Sequence, residues 1–159
     1  MKRSVYIETT IPSFFYEVRT EPEMIARRES TRRWWAQERA RYDLYASVFT
    51  MAELEDGDYP GKSDALELVH DLPILGVTPE IESIASVYVR RHLMPQSDFG
   101  DAYHLAAASF YGMDFLLTWN CRHLANANKV DHLRAVNAEL GLAIPIVTTP
   151  DQLFSEDES

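Results

Sequence analysis

The stretch Ser97–Asn120, SDFGDAYHLAAASFYGMDFLLTWN, reads as an acid-headed helix, a glycine stop and a buried strand with a polar residue at its far end. Asp98 and Asp101 are three residues apart, so a helix that begins here carries both carboxylates on one face of its first turn. Phe99, Ala102, Tyr103, Ala106 and Phe110 recur at helical spacing and mark a face turned to the core. Ala106, Ala107 and Ala108 let such a helix lie close against a sheet, and Gly112 suits its C-terminus, where a left-handed backbone costs little. Phe115-Leu-Leu-Thr-Trp119 is then an apolar run of strand length, and Asn120 follows as it ends. The stretch is expected to supply one half of a metal site.

The same grammar extends outward in both directions. Ser4–Ile7 is strand-like, with Glu8 at its end and Thr9, Thr10 and a turn at Pro12-Ser13 behind it. Thr20 to Arg41 is predicted as one helix opened by a Thr20/Glu23 capping box, with one of Trp34 and Trp35 packed inward and the other at an interface. Strands are expected at Leu44–Phe49, Pro73–Val77 and Ile144–Val147. Helices are expected through Leu66 and Val69, from Pro79 to Leu93, and from Asn128 to a stop at Gly141. Strands that are apolar rather than alternating, separated by helices, predict a parallel sheet covered on both faces. The fold class is therefore α/β, a parallel-sheet α/β/α sandwich in one domain, residues 1–154, with a disordered acidic tail, residues 155–159.

Composition narrows the function. The chain has 159 residues, 46% hydrophobic and 25% charged, enough to bury a core. No apolar run reaches the length of a membrane span, and the opening Met-Lys-Arg-Ser-Val-Tyr lacks a signal-peptide cleavage pattern, so a cytoplasmic protein is expected. The single cysteine, Cys121, excludes a disulfide framework and a cysteine-rich zinc site. A net charge of −10 argues against passive nucleic-acid binding, although Arg27, Arg28, Arg32, Arg33, Arg39 and Arg41 fall in one segment.

In open parallel sheets, sites form beyond the carboxyl ends of the strands. Glu8 follows the first strand, Glu53 lies a turn after the second, Asn120 follows the fourth, and Asp98 and Asp101 open the helix that feeds it. Carboxylates gathered on one rim repel unless a cation joins them. Oxygen donors suit Mg²⁺ or Mn²⁺, and such a site suits phosphodiester hydrolysis.

Each residue also has a plainer role. Thr50-x-x-Glu53 fits a capping box, Asp98 fits an N-cap with Asp101 at its third helical position, and Asn120 fits a turn. His104, one helical step past Asp101, reads as a partly buried helix residue within sight of the site. Thr9 and Ser13 can support Glu8 or simply shape the turn. Glu8 is hardest to explain otherwise, because a carboxylate ending an apolar central strand is costly without a partner.

At VYIETTIPS (Val5–Ser13), the pair Glu53-Leu54, the block DFGDAYHLAAASFYGMDFLLTWN and the following RHLAN, the sequence resembles a PIN-domain nuclease, the fold of the VapC-type toxins of toxin–antitoxin pairs. The resemblance covers most of the chain in order. It implies an acidic cluster that binds Mg²⁺ or Mn²⁺ and cuts single-stranded or structured RNA, an antitoxin protein as partner, and a homodimer. Carried over by position, Glu8, Glu53 and Asp101 are the first three acids, with Asp98 auxiliary, and Asn120 stands where the fourth acid usually does. Glu8 replaces the usual Asp and is a methylene longer, while Asn120 is neutral, so a weaker or single-metal site is expected. Two rivals accompany this reading. One is a PIN-like module that binds RNA or protein without cutting. The other is an acidic-pocket phosphatase, disfavoured because Glu8 stands where an Asp nucleophile is needed.

Overall fold

A computed structural model describes residues 1–96 and 99–155; Ser97, Asp98, the side chain of Phe99 and residues 156–159 lie outside the described residues. The strands are β1 (Arg3–Ile7), β2 (Tyr42–Ser47), β3 (Ile74–Leu75), β4 (Phe115–Leu117) and β5 (Ile146–Thr148). The helices are α1 (Thr10–Phe15), α2 (Pro22–Gln37), α3 (Val48–Glu55), α4 (Lys62–His70), α5 (Pro79–Arg90), α6 (Phe99–Phe110) and α7 (Val130–Leu140).

The five strands form one parallel sheet in the order β3-β2-β1-β4-β5. Val5 sits opposite both Leu44 and Phe115, so β1 is central and its residues Val5, Tyr6 and Ile7 are wholly buried. Alternation across the pleat splits the core. Tyr6 and Leu116 join the side chains of α5, α6 and α7, whereas Val5, Ile7, Phe115 and Leu117 join those of α1 to α4. Ala102, Ala106, Ala107 and Ala108 are fully buried, and their small side chains bring α6 close to its neighbours. After α6, Gly112 (φ 68°) takes the left-handed conformation that lets Met113 N–H reach Ala108 O at 2.9 Å.

The first layer is tied by a polar knot. Tyr88 of α5 donates to Asn137 Oδ1 of α7 at 2.6 Å, its oxygen also lies 2.9 Å from the Ser109 hydroxyl of α6, and Asn137 Nδ2 donates to Ser109 Oγ at 3.0 Å. Burial pushes the Tyr88 phenol up to about 12.

Several boundaries differ from expectation for local reasons. Pro12-Ser13 lies within α1 instead of a turn: Pro12 falls in the first helical turn, where its missing N–H is no loss, and Ser13 Oγ donates to Thr9 O at 2.9 Å. α2 is entered through Glu21 without a side-chain cap, Pro22 supplying the first helical φ, so the Thr20/Glu23 box does not form. It stops at Gln37 and gives way to a 3₁₀ turn, Arg39–Arg41. Trp34 and Trp35 are both buried; Trp34 stacks on Tyr42 and donates to Leu153 O at 3.1 Å. β2 ends two residues early because Ser47 Oγ accepts Phe49 N–H (3.1 Å) and Thr50 N–H (3.3 Å) and so caps α3. Thr50 is therefore inside the helix, and the Thr50/Glu53 capping box is not made. β3 is only two residues long, and β5 starts after Pro145.

Replacing Tyr88 with Phe leaves Asn137 and Ser109 without that hydroxyl in a buried site. We expect the urea midpoint to fall by an amount equivalent to about 1–3 kcal/mol; an unchanged midpoint would show that the knot adds nothing to stability.

Candidate active site at the carboxyl edge of the sheet

The strand order runs from β1 outward to β3, then returns across β1 to β4 and β5, so the direction reverses between β1 and β4. A crevice forms at such a point, beyond the carboxyl ends of the two strands. Glu8 is the first residue past β1 and Asn120 lies three past the end of β4.

Glu8 is only 4% exposed. Its Oε1 accepts from Thr118 Oγ1 at 2.7 Å, from Thr10 N–H at 3.0 Å and from the Thr10 hydroxyl. These donors come from both sides of the crevice. Glu53 projects from α3, half exposed, and its Oε1 accepts from Thr9 Oγ1 at 2.5 Å and contacts His104 Nε2. Burial would raise the Glu53 pKa, but the hydrogen bond and charge of His104, with the Thr9 hydroxyl, hold it below the ordinary value.

His104 of α6 is completely buried, its Nδ1 lying 2.6 Å from the Tyr6 hydroxyl. Burial pushes its pKa down, yet Tyr6, Glu53 and Glu8 push it up and prevail, leaving it well above 6.5. One ligand atom from each of Glu8, Glu53 and His104 lies within 4.8 Å of the others.

Asp101, in the first turn of α6, is 5% exposed, and both carboxylate oxygens accept from Asn120 Nδ2 at 3.0 Å. Asn120 Oδ1 accepts His123 N–H at 3.0 Å, so the amide is oriented with its nitrogen toward Asp101 and its carbonyl toward the following turn. Asn120 N–H also donates to Thr118 Oγ1 at 2.9 Å, and Thr118 donates to Glu8. A hydrogen-bonded chain thus runs from Asp101 through Asn120 and Thr118 to Glu8. Lys129 is near enough that the Asp101 charge opposes the downward shift that burial gives its ammonium.

Glu8, Glu53, Asp101 and Asn120 therefore share one edge of the sheet, and Asp98 lies outside the described residues. Thr9 supports Glu53; Thr10 is the residue that holds Glu8. Cys121 is exposed. The arginines are mostly committed. Arg27 lies over the rings of Phe14 and Trp119 at 5.5 and 5.3 Å, Arg28 donates to Glu17 O at 3.3 Å, and Arg32 donates to Phe15 O at 2.8 Å. Sequence reading gave no place at the site to Thr10, Thr118, Tyr6 or Ser47 and undervalued His104. The available signals were a tyrosine inside an apolar central strand, a threonine closing an apolar run, and a histidine one helical step from Asp101.

The pair Glu53–His104 makes stability depend on pH in two directions. Glu53 is lowered, so its contribution is complete above its ordinary 4.5 and fades as pH falls through its folded value. His104 is raised, so its contribution is complete below 6.5 and fades as pH rises through its folded value. Without divalent cations, the stability difference between parent and Glu53→Gln should be largest between those pH values and shrink on both sides. A difference that is flat with pH would show that the pair does not stabilise the fold.

No protein-family model matches the sequence, and no curated protein sequence matches it. Solved structures do resemble the fold. A toxin–antitoxin complex from Klebsiella pneumoniae aligns with TM-score 0.54 at 15% identity over 79% of this chain and 93% of that one. VapC20 from Mycobacterium tuberculosis, a toxin that cleaves the sarcin–ricin loop, aligns with TM-score 0.55 at 17% identity over 70% and 86%. VapBC2 from Rickettsia felis, bound to a DNA fragment from its promoter, aligns with TM-score 0.57 at 10% identity over 92% and 98%. With its parallel sheet between two helical layers, the chain has the VapC-like PIN-domain fold.

Proposed function

We propose that the protein is a metal-dependent endoribonuclease, with Glu8, Glu53 and Asp101 holding Mg²⁺ or Mn²⁺. The observation that supports this best is the meeting of two carboxylates from separate parts of the chain, Glu8 and Glu53, within ligand distance of each other at the crevice, with Asp101 linked to Glu8 through Asn120 and Thr118. The donor set fits such an ion: carboxylate oxygens of Glu8 and Glu53 lie within 4.8 Å of each other, on the hard-ligand side of metal preference. When bound, the cation supplies Lewis-acid polarisation of a phosphate and its attacking water.

The chain's own residues do the positioning. Thr10 and Thr118 fix one oxygen of Glu8, and Asn120 holds Asp101 from the side opposite its own carbonyl bond to His123 N–H. Asn120 acts in this reading as an auxiliary residue that orients Asp101, and Asp98 as a further acid. RNA as substrate, an antitoxin protein as partner and a homodimeric state belong to the same proposal. Likeness to a toxin that cleaves the sarcin–ricin loop and to toxin–antitoxin complexes supports the first two.

Asp101→Ala should lower Mn²⁺-dependent cleavage of a structured RNA by at least about a hundredfold, which corresponds to the several kcal/mol a metal contributes. Its thermal melting without metal should stay cooperative. Cleavage equal to the parent's would overturn the mechanism, and RNA binding without any cleavage in the parent would favour the binding module.

A further inference from the structure

His104 is absent from the acid set, yet it is fully buried at the crevice, as Thr118 and Ser47 are. Its hydrogen bonding follows from the cap of α3. A hydroxyl oxygen has two lone pairs, and those of Ser47 accept Phe49 N–H and Thr50 N–H. The Ser47 hydrogen is then left to donate, and the Tyr6 hydroxyl lies 2.6 Å away. When the ring is neutral, Tyr6 in turn donates to His104 Nδ1 at 2.6 Å. Nδ1 is thereby the acceptor, and the hydrogen of the neutral ring sits on Nε2, facing Glu53 Oε1. A ring protonated on both nitrogens carries the same Nε2 hydrogen.

The path closes on itself. Ser47 caps the helix that carries Glu53, Tyr6 sits in the central strand, and His104 reaches from α6 back to Glu53. Thr50 adds a second tie between α3 and the strand, donating to Ile7 O at 3.1 Å. With His104 Nε2–H and the Thr9 hydroxyl both directed at Oε1, two donors hold that oxygen and Glu53 Oε2 is the one that can turn to a cation.

We infer that His104 is a positioning residue for the metal site, a hydrogen-bond donor that aims Glu53 and not itself a ligand. The inference rests on the metal-site reading above. Groups that hydrogen-bond a metal-ligating carboxylate change metal affinity when removed, commonly by about 10–100-fold.

The test is Mn²⁺ titration of the full chain, followed by electron paramagnetic resonance of the bound ion. His104→Phe should weaken Mn²⁺ binding about tenfold or more. His104→Gln, which restores a donor near the Nε2 position, should recover most of that loss, and the bound ion in the parent should show no coupling to a histidine nitrogen. Tyr6→Phe keeps the imidazole but removes its anchor, and should weaken binding by a smaller factor; it decides the matter if His104→Phe does not fold. Parent-like affinity in both His104→Phe and Tyr6→Phe, equal losses in His104→Phe and His104→Gln, or nitrogen coupling from His104 would each overturn the positioning role. A parent that binds no Mn²⁺ would instead overturn the metal site itself, and this inference with it.

Discussion

A carboxylate nearly sealed from solvent at the end of a central strand is costly unless hydrogen-bond donors match it. Glu8 meets that requirement on one oxygen, with three donors from Thr10 and Thr118. Satisfying them sets the local course of the chain. Thr10 opens α1 immediately beyond the strand, and the Thr10 hydroxyl also accepts Trp119 N–H at 2.8 Å. Thr118 therefore leaves β4 aimed at the acid, and Asn120 follows in position to hold Asp101. The rest of the crevice is arranged around a carboxyl group that the fold buries.

Burying Tyr6 imposes a parallel demand two residues earlier in the chain. Its ring fills the layer beneath α5 and α6, but its hydroxyl needs partners in a dry interior. Ser47 and His104 provide them, and in doing so they join β1, α3 and α6. Two buried polar groups two residues apart, Tyr6 in the central strand and Glu8 just past its end, thus organise the crevice. This is the kind of network that specifies a single arrangement when every member is satisfied.

The layered architecture was legible because it rests on long, redundant signals. The apolar strands, the alanine-rich α6 and the glycine at its end all point the same way. The edge positions of Glu8, Glu53 and Asn120 could also be read, since topology places strand ends together. Their partners could not. That Thr10 serves Glu8 while Thr9 serves Glu53, or that Ser47 rather than Thr50 caps α3, depends on rotations of a few degrees at chain turns that no periodicity encodes. Tandem threonines look alike in a sequence. His104 was undervalued for a related reason: helical spacing shows only that it shares a face with Asp101, not that Tyr6 and Glu53 arrive from elsewhere to enclose it.

The ends of the sheet carry a different lesson. β3 offers two residues and β5 three, the latter directly behind Pro145, which has no N–H to give. Edges this short disfavour lengthening of the ladder by a foreign strand at either side. Helix faces and loops are then the more favourable meeting surface, where side-chain shape rather than main-chain pairing selects the companion.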